Sequence, residues 1–216
     1  ARLRAMRRVE AALRRMTRAL DALMHRVYGW RGNPLHQSGA LASWLLLVLT
    51  VTGLYLLLVY RIGAPAESVA RLAADPWLGS WVRSLHRYAT DAFVLAALLH
   101  AVRLVGQARE WGPRTRAWVS GIFLFGVGLA CAWTGFVMAW DTLGLRIAVM
   151  GARLVDALPI VSEPVSRLFA GDRPVPGTFF FLNLFIHIAL PLAMGTGLWL
   201  HISKVARPVL VPPRVI

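Results

Sequence analysis

The chain has 216 residues, 57% of them hydrophobic, with a formal net charge of +14 and one cysteine. A mean hydropathy of +0.58 and 9 Trp place it among integral membrane proteins. The lone Cys131 excludes an intramolecular disulfide framework and any multi-cysteine metal site, and reads as a small buried hydrophobe.

Residues 1–29 predict an amphipathic helix, because Leu3, Met6, Val9, Leu13, Met16, Leu20, Leu23 and Val27 recur at three- and four-residue intervals with arginines between them. A helix lying on a membrane surface fits this pattern; a calmodulin-like target or a partner-binding coil is the alternative. Gly32–Asn33–Pro34 ends the segment. The arginine-rich start and the late first apolar stretch lead us to expect no cleavable signal peptide. Four stretches predict membrane-spanning helices, at about 39–60, 83–105, 117–140 and 178–203, each long enough for roughly 30 Å of hydrocarbon. Between the first two, a loop at 61–82 holds a short helical pattern at 66–73. Residues 141–177 carry two more, at about 145–157 and 162–170, interrupted at Pro159 and Pro164. A connection of this length usually serves function, and here it would roof one end of the bundle. The expected fold class is an all-α membrane protein: a four-transmembrane-helix bundle with an N-terminal amphipathic surface helix.

The charge is sorted by side. Four spans put both termini and the 104–116 loop on one side, which with Arg103 holds 16 Lys and Arg against Glu10, Asp21 and Glu110. The other side carries 8 Arg against six acids, with Asp91 inside a span. Basic residues mark the cytoplasmic face, so both termini are expected there. The basic excess is topology and attraction to anionic lipid, not a nucleic-acid footprint.

His86 and His100 are fourteen residues apart within the second span, and His187 and His201 are fourteen apart within the fourth. Fourteen helical residues advance about 21 Å and fall roughly 40° short of four turns. Each pair therefore places two imidazoles on nearly one face, one toward each membrane surface. A lone histidine in a span is usually a hydrogen-bonding group or part of a proton path, but two equal pairs on two helices point to bis-histidine ligation of two b haems. The two spans run in the same direction, so His86 and His187 are expected to share the positive-side iron, and His100 and His201 the cytoplasmic-side iron. Each imidazole should donate its second N–H to an acceptor.

Gly39 and Gly53 in the first span, and Gly121 and Gly135 in the third, repeat the same interval. They read as clearance for a porphyrin edge; small-residue helix packing is the alternative. Arg83 lies three residues before His86 and Arg103 three after His100, one turn toward the surface, where guanidinium would pair haem propionates; snorkelling is the alternative. Arg87, Arg114, Lys204 and Arg207 are further candidates for propionates, with the lining of a cytoplasmic-side quinone pocket as the alternative for Lys204 and Arg207. His25 and His36 fit neither pair and read as interfacial, or as proton donors to a nearby quinone.

Together RSLHR (83–87), HAVR (100–103), WVSG…TGFVMAWD (118–141), DALPIVSEP (156–164), HIALP…LH (187–201) and the paired glycines make the chain resemble the cytochrome b family, and within it cytochrome b6, over roughly residues 36–208. The resemblance divides the chain into 1–35, a cytoplasmic-side helix; 36–208, the dihaem four-helix domain; and 209–216, a tail. It implies a low-potential haem near the positive side and a high-potential haem near the cytoplasmic side. It implies quinol oxidation at a positive-side pocket, for which Phe136, Trp140 and Met150 are candidates, and quinone reduction opposite. The chain would thus be a subunit of a quinol–cytochrome c oxidoreductase, incomplete alone, in the inner (cytoplasmic) membrane of a bacterium or an equivalent energy-transducing membrane. Implied partners are a Rieske iron–sulfur protein, a c-type cytochrome and a second copy in a homodimeric complex.

Three departures stand out. The family's PW dipeptide reads Ala139–Trp140. The cysteine that holds an extra covalent haem in photosynthetic complexes falls near Gln37, so that haem is not expected. The later helices with the PEWY motif are not in this sequence and are expected on a separate subunit. The competing readings are a dihaem anchor joining quinone to a different redox partner, and a haem-free structural or transport subunit without b-type absorption.

Overall fold

The computed structural model describes residues 2–107, 115–159, 163–170 and 174–203, with side chains from Arg8 onward. Among these residues there are seven α-helices: α1 (Arg2–Gly32), α2 (Ser38–Val59), α3 (Pro65–Ala74), α4 (Gly79–Gly106), α5 (Thr115–Ala139), α6 (Thr142–Asp156) and α7 (Gly177–Ser203). Four are long and apolar enough to cross a membrane: Pro34–Val59, which adds a 3₁₀ turn to α2, then α4, α5 and α7. The chain is a multi-pass membrane protein.

Helix ends follow local chemistry. The helical run of α1 breaks at Gly29, whose φ of 70° suits a residue without Cβ. Asn33 Oδ1 accepts the Leu35 N–H at 2.9 Å, starting the turn at Pro34–Gln37. The second span begins at Gly79 rather than 83, because Asp75 caps it: its carboxylate accepts from the N–H of Trp77 at 3.1 Å and of Gly79 at 2.8 Å. Those backbone donors, that of Gly79 first, hold the Asp75 carboxyl below its ordinary pKa. Asp141 likewise caps α6, accepting from Gly144 N–H at 2.8 Å, so α6 starts at Thr142 rather than 145. The helical pattern expected at 162–170 is instead one 3₁₀ turn, Val165–Phe169, with Pro164 at its start; residues 160–162 lie outside the described residues. A proline disfavours helical geometry in the residue before it, which keeps a longer helix from forming there.

The chain forms two compact units, each built from halves of the same four long helices. One contains residues 1–49, 89–126 and 194–216. Its buried residues include Leu35, Phe93, Ala96 and Met194. Here α1 meets the end of α4 through Thr17 and Asp21, with Leu13 and Leu20 half-buried beside them. Thr17 is buried, and a Cβ on Gly106 would come within 2.7 Å of its hydroxyl. Val9, Met16, Leu23 and Val27, from the predicted apolar stripe of α1, stay exposed, as suits a helix at a membrane surface. The other unit contains residues 50–88 and 127–193. Its core includes Val82, Val137, Ala148, Ala152, Phe180 and Leu184. Two glycines let α6 lie against the end of α5: a Cβ on Gly144 would meet the Phe136 carbonyl at 2.7 Å, and one on Gly151 the Trp133 indole at 1.9 Å.

Candidate haem sites

In the unit holding 50–88 and 127–193, α4 supplies His86 and α7 supplies His187. Their ring centres lie 6.5 Å apart at 67°. His86 Nδ1 lies 2.8 Å from Thr52 Oγ1 on α2. His187 Nδ1 lies 3.0 Å from Thr134 Oγ1 on α5 and 3.1 Å from the Cys131 carbonyl. The Thr134 hydroxyl can donate to the carbonyl of Cys131 at 2.8 Å, which leaves its oxygen lone pairs to accept from an imidazole N–H. Buried Asn183 on α7 donates to the Thr134 carbonyl at 3.0 Å, tying the two helices beside the histidine.

The other unit repeats the design. His100 Nδ1 lies 3.0 Å from Ser38 Oγ, and His201 Nδ1 lies 2.9 Å from Ser120 Oγ, whose own hydroxyl reaches the Ala117 carbonyl at 3.0 Å. Both histidines line a cavity of about 890 Å³ with Gly39, Phe93, Gly121 and Met194, a size in the range of cofactor sites.

Each of the four glycines faces one of the four histidines. A Cβ on Gly39, Gly53, Gly121 or Gly135 would sit 3.0, 3.2, 3.2 or 2.9 Å from Cε1 of His100, His86, His201 or His187 respectively. The absent side chain thus lets an imidazole press on the neighbouring backbone. The hydroxyls were missed from sequence, yet a signal existed: Ser38, Thr52, Ser120 and Thr134 each immediately precede one of these glycines. Cys131 has more than bulk to offer. Pro191, inside α7, has no N–H for the carbonyl four residues back. That carbonyl belongs to His187, and the Cys131 thiol approaches it at 3.9 Å.

The arginines divide. Arg103 donates to the Leu35 carbonyl and pairs with Asp21 of α1 at 3.3 Å, partners the sequence reading did not foresee. Arg87 lies 5.1 Å above the Phe136 ring, and Arg83 is half-buried three residues before His86. Arg114, Lys204 and Arg207 lie outside the described residues. The three quinol-pocket candidates have separate surroundings. Phe136 faces Arg87. Trp140, at φ 49°, packs on Phe180 at 4.6 Å and on Phe179 at 5.8 Å. Met150 is 70% exposed on α6. His25 and His36 come together, Nε2 to Nε2, at 3.3 Å.

The family model described as Cytochrome b/b6/petB matches residues 32–207. The chain is 25% identical over 173 residues to the menaquinol:cytochrome c reductase cytochrome b subunit of Geobacillus thermodenitrificans, covering 77% of each. It is 29% identical over 177 residues to cytochrome b6 of Heliobacterium mobile, covering 81% of this chain and 83% of the relative. Among solved structures, a chain of a hyperthermophilic respiratory complex III shares the fold, with a TM-score of 0.66 at 19% identity over 79% of this chain. This chain spans about half, 47%, of that one. With the family match covering most of its length, the chain belongs to the cytochrome b/b6 family.

Proposed function

We propose that this chain is the dihaem cytochrome b subunit of a bc/b6f-type quinol–cytochrome c oxidoreductase, carrying electrons between positive-side quinol oxidation and cytoplasmic-side quinone reduction. The observation that carries the reading is the fourfold repeat of one imidazole, one hydroxyl on Nδ1 and one glycine against Cε1. Membership of a haem-binding family supports the same reading, as do relatives named as quinol reductase subunits.

The residues fit iron held between paired imidazoles. With a hydroxyl oxygen accepting the Nδ1 proton, Nε2 keeps its lone pair for a metal. Imidazole nitrogen binds transition metals at about 2 Å, so two rings on one ion have centres roughly 6 Å apart, near the separation of His86 and His187. Bound haem would supply a one-electron couple at each site. His86 and His187 would hold the positive-side iron, and His100 and His201 the cytoplasmic-side iron. Gly39, Gly53, Gly121 and Gly135 give these rings room. Arg83 and Arg87 would meet propionates, while Arg103 would have to share its guanidinium with Asp21. Arg114, Lys204 and Arg207 keep the roles expected from sequence, as do the division at residues 36–208 and the quinol-side candidates Phe136, Trp140 and Met150. Electron transfer against the membrane potential stores about 2.3 kcal/mol per 100 mV per charge.

The partners that complete the reaction would be a Rieske protein, a c-type cytochrome and a subunit bearing the remaining cytochrome b helices, in a homodimeric complex of the cytoplasmic membrane. Affinity purification from detergent-solubilised membranes tests this directly. The expected outcome is co-isolation of a Rieske centre and quinol-driven reduction of cytochrome c. Haem-bearing protein isolated with another dehydrogenase and no Rieske centre would favour the dihaem-anchor reading instead.

A further inference from the structure

We propose that Asp91 marks a docking face on α4 for a transmembrane helix of a different polypeptide, one that carries a lysine or arginine at mid-membrane depth. Helix α4 runs from Gly79 to Gly106, so Asp91 stands within two residues of its midpoint. At 1.5 Å per residue it lies about 18 Å from one end of the helix and about 22 Å from the other, deep within a helix long and apolar enough to span. Its neighbours settle which way it faces. Ala89, Phe93 and Ala96, spaced four and three residues apart, are buried in the unit that contains residues 89–126. Asp91, Leu95 and Leu98 repeat that spacing two residues later, roughly 200° around the helix, and all three are exposed. Leu95, one turn from the carboxylate, is 66% exposed. The Asp91 side chain therefore points away from this chain. It makes no hydrogen bond or ion pair among the described residues.

A carboxylate in hydrocarbon is costly unless it is paired. The short aspartate side chain cannot reach the membrane surface as lysine and arginine do. Protonation would remove the charge but leave an O–H donor and a carbonyl acceptor with nothing to bond in lipid. A cationic partner answers both needs, because it neutralises the charge and donates hydrogens to the oxygens. This chain does not offer one. Arg87, one turn earlier on α4, lies 5.1 Å above the Phe136 ring. Helix α7 and the span Pro34–Val59 contain no Lys or Arg, and α5 has only Arg116, beside its start. A second copy brings the same helices and so no further cation at this depth. Charge complementarity thus selects a different polypeptide, with Leu95 and Leu98 packing around the pair. Haem and quinone play no part in this contact.

The test uses the purified complex carrying the photo-cross-linker p-benzoylphenylalanine in place of Leu95, which leaves Asp91 intact. After irradiation, linked peptides are sequenced by mass spectrometry. The expected adduct joins this position to a transmembrane segment of another polypeptide, with Lys or Arg within one turn of the attachment point. Adducts with lipid alone, with a second copy of this chain, or with a helix lacking a basic residue there would each overturn the proposal. A double-mutant cycle then examines the pair. Asp91→Ala, and alanine at the partner's cation, should each speed loss of that polypeptide on dilution into detergent by at least about tenfold, because each leaves a buried charge unpaired. With both changes, the loss should be much slower than the product of the two single effects; strictly multiplicative effects would overturn the pairing. Asp91→Ala should keep the haem content of the wild type, and the cross-link decides the matter even if that variant fails to assemble. Failure of the contact would leave the function proposed above standing.

Discussion

Each histidine in the two candidate haem sites is fixed at Nδ1 by a hydroxyl 2.8–3.0 Å away, and such outer partners set ligand basicity. Thr134→Ala is therefore expected to retain haem but shift the midpoint potential of the positive-side couple alone, with Thr134→Ser restoring it. A redox titration in which Thr134→Ala left both couples unmoved would show the hydroxyl to be irrelevant. Gly135→Ala should act more severely, since the new Cβ would lie 2.9 Å from His187 Cε1; we expect loss of one haem, read as halved pyridine haemochrome content. The histidines and glycines were legible in sequence because one interval, fourteen residues, governs all eight. The hydroxyls were legible in principle, as the residue before each glycine, but a Ser or Thr in a helix has many bland readings. The Arg103–Asp21 pair was not legible: its partners are 82 residues apart, and only the docking of α1 joins them.

Among the elements, α6 depends on close approach. Gly151→Ala pits two effects against each other. Alanine favours a helix over glycine by about 1 kcal/mol, but its Cβ would stand 1.9 Å from a rigid indole ring that the Trp133 Nε1–H bond to the Ile147 carbonyl, 3.1 Å, holds in place. Overpacking of that kind costs about 1–3 kcal/mol, so a lowered thermal midpoint is expected; a raised one would mean that Trp133 swings away freely. Asp156 anchors the 3₁₀ turn through the N–H groups of Val165 and Ser166. Hydrogen bonding to Ser166 holds its carboxyl below the ordinary value. Its contribution to the turn is thus fully present above the ordinary aspartate pKa of about 3.9 and lost as pH falls through the lowered folded value. Protection of the Val165 and Ser166 N–H groups against hydrogen exchange, taken relative to their intrinsic rates, should fall with acid through that point in the wild type, and Asp156→Asn should remove this fall; an unchanged protection profile in the variant would assign it elsewhere. Helix ends were the least legible part of the fold. Hydropathy finds the apolar stretch, while Asp75 and Asp141 start their helices three or four residues earlier through side-chain caps.

At the scale of the whole chain, a net charge of +14 and four apolar helices agree with a membrane protein whose basic residues collect on one side. Both termini are expected on the cytoplasmic side, and protease cleavage of the two termini from opposite faces of sealed vesicles would contradict this. Electron transfer along the proposed path requires two haems held by this one chain. The most direct measurement is a redox-titrated difference spectrum with pyridine haemochrome quantitation on the purified complex. Two b haems per chain with separated potentials are expected, each lost singly in His187→Ala and His201→Ala. One haem or none in the wild type would contradict that path.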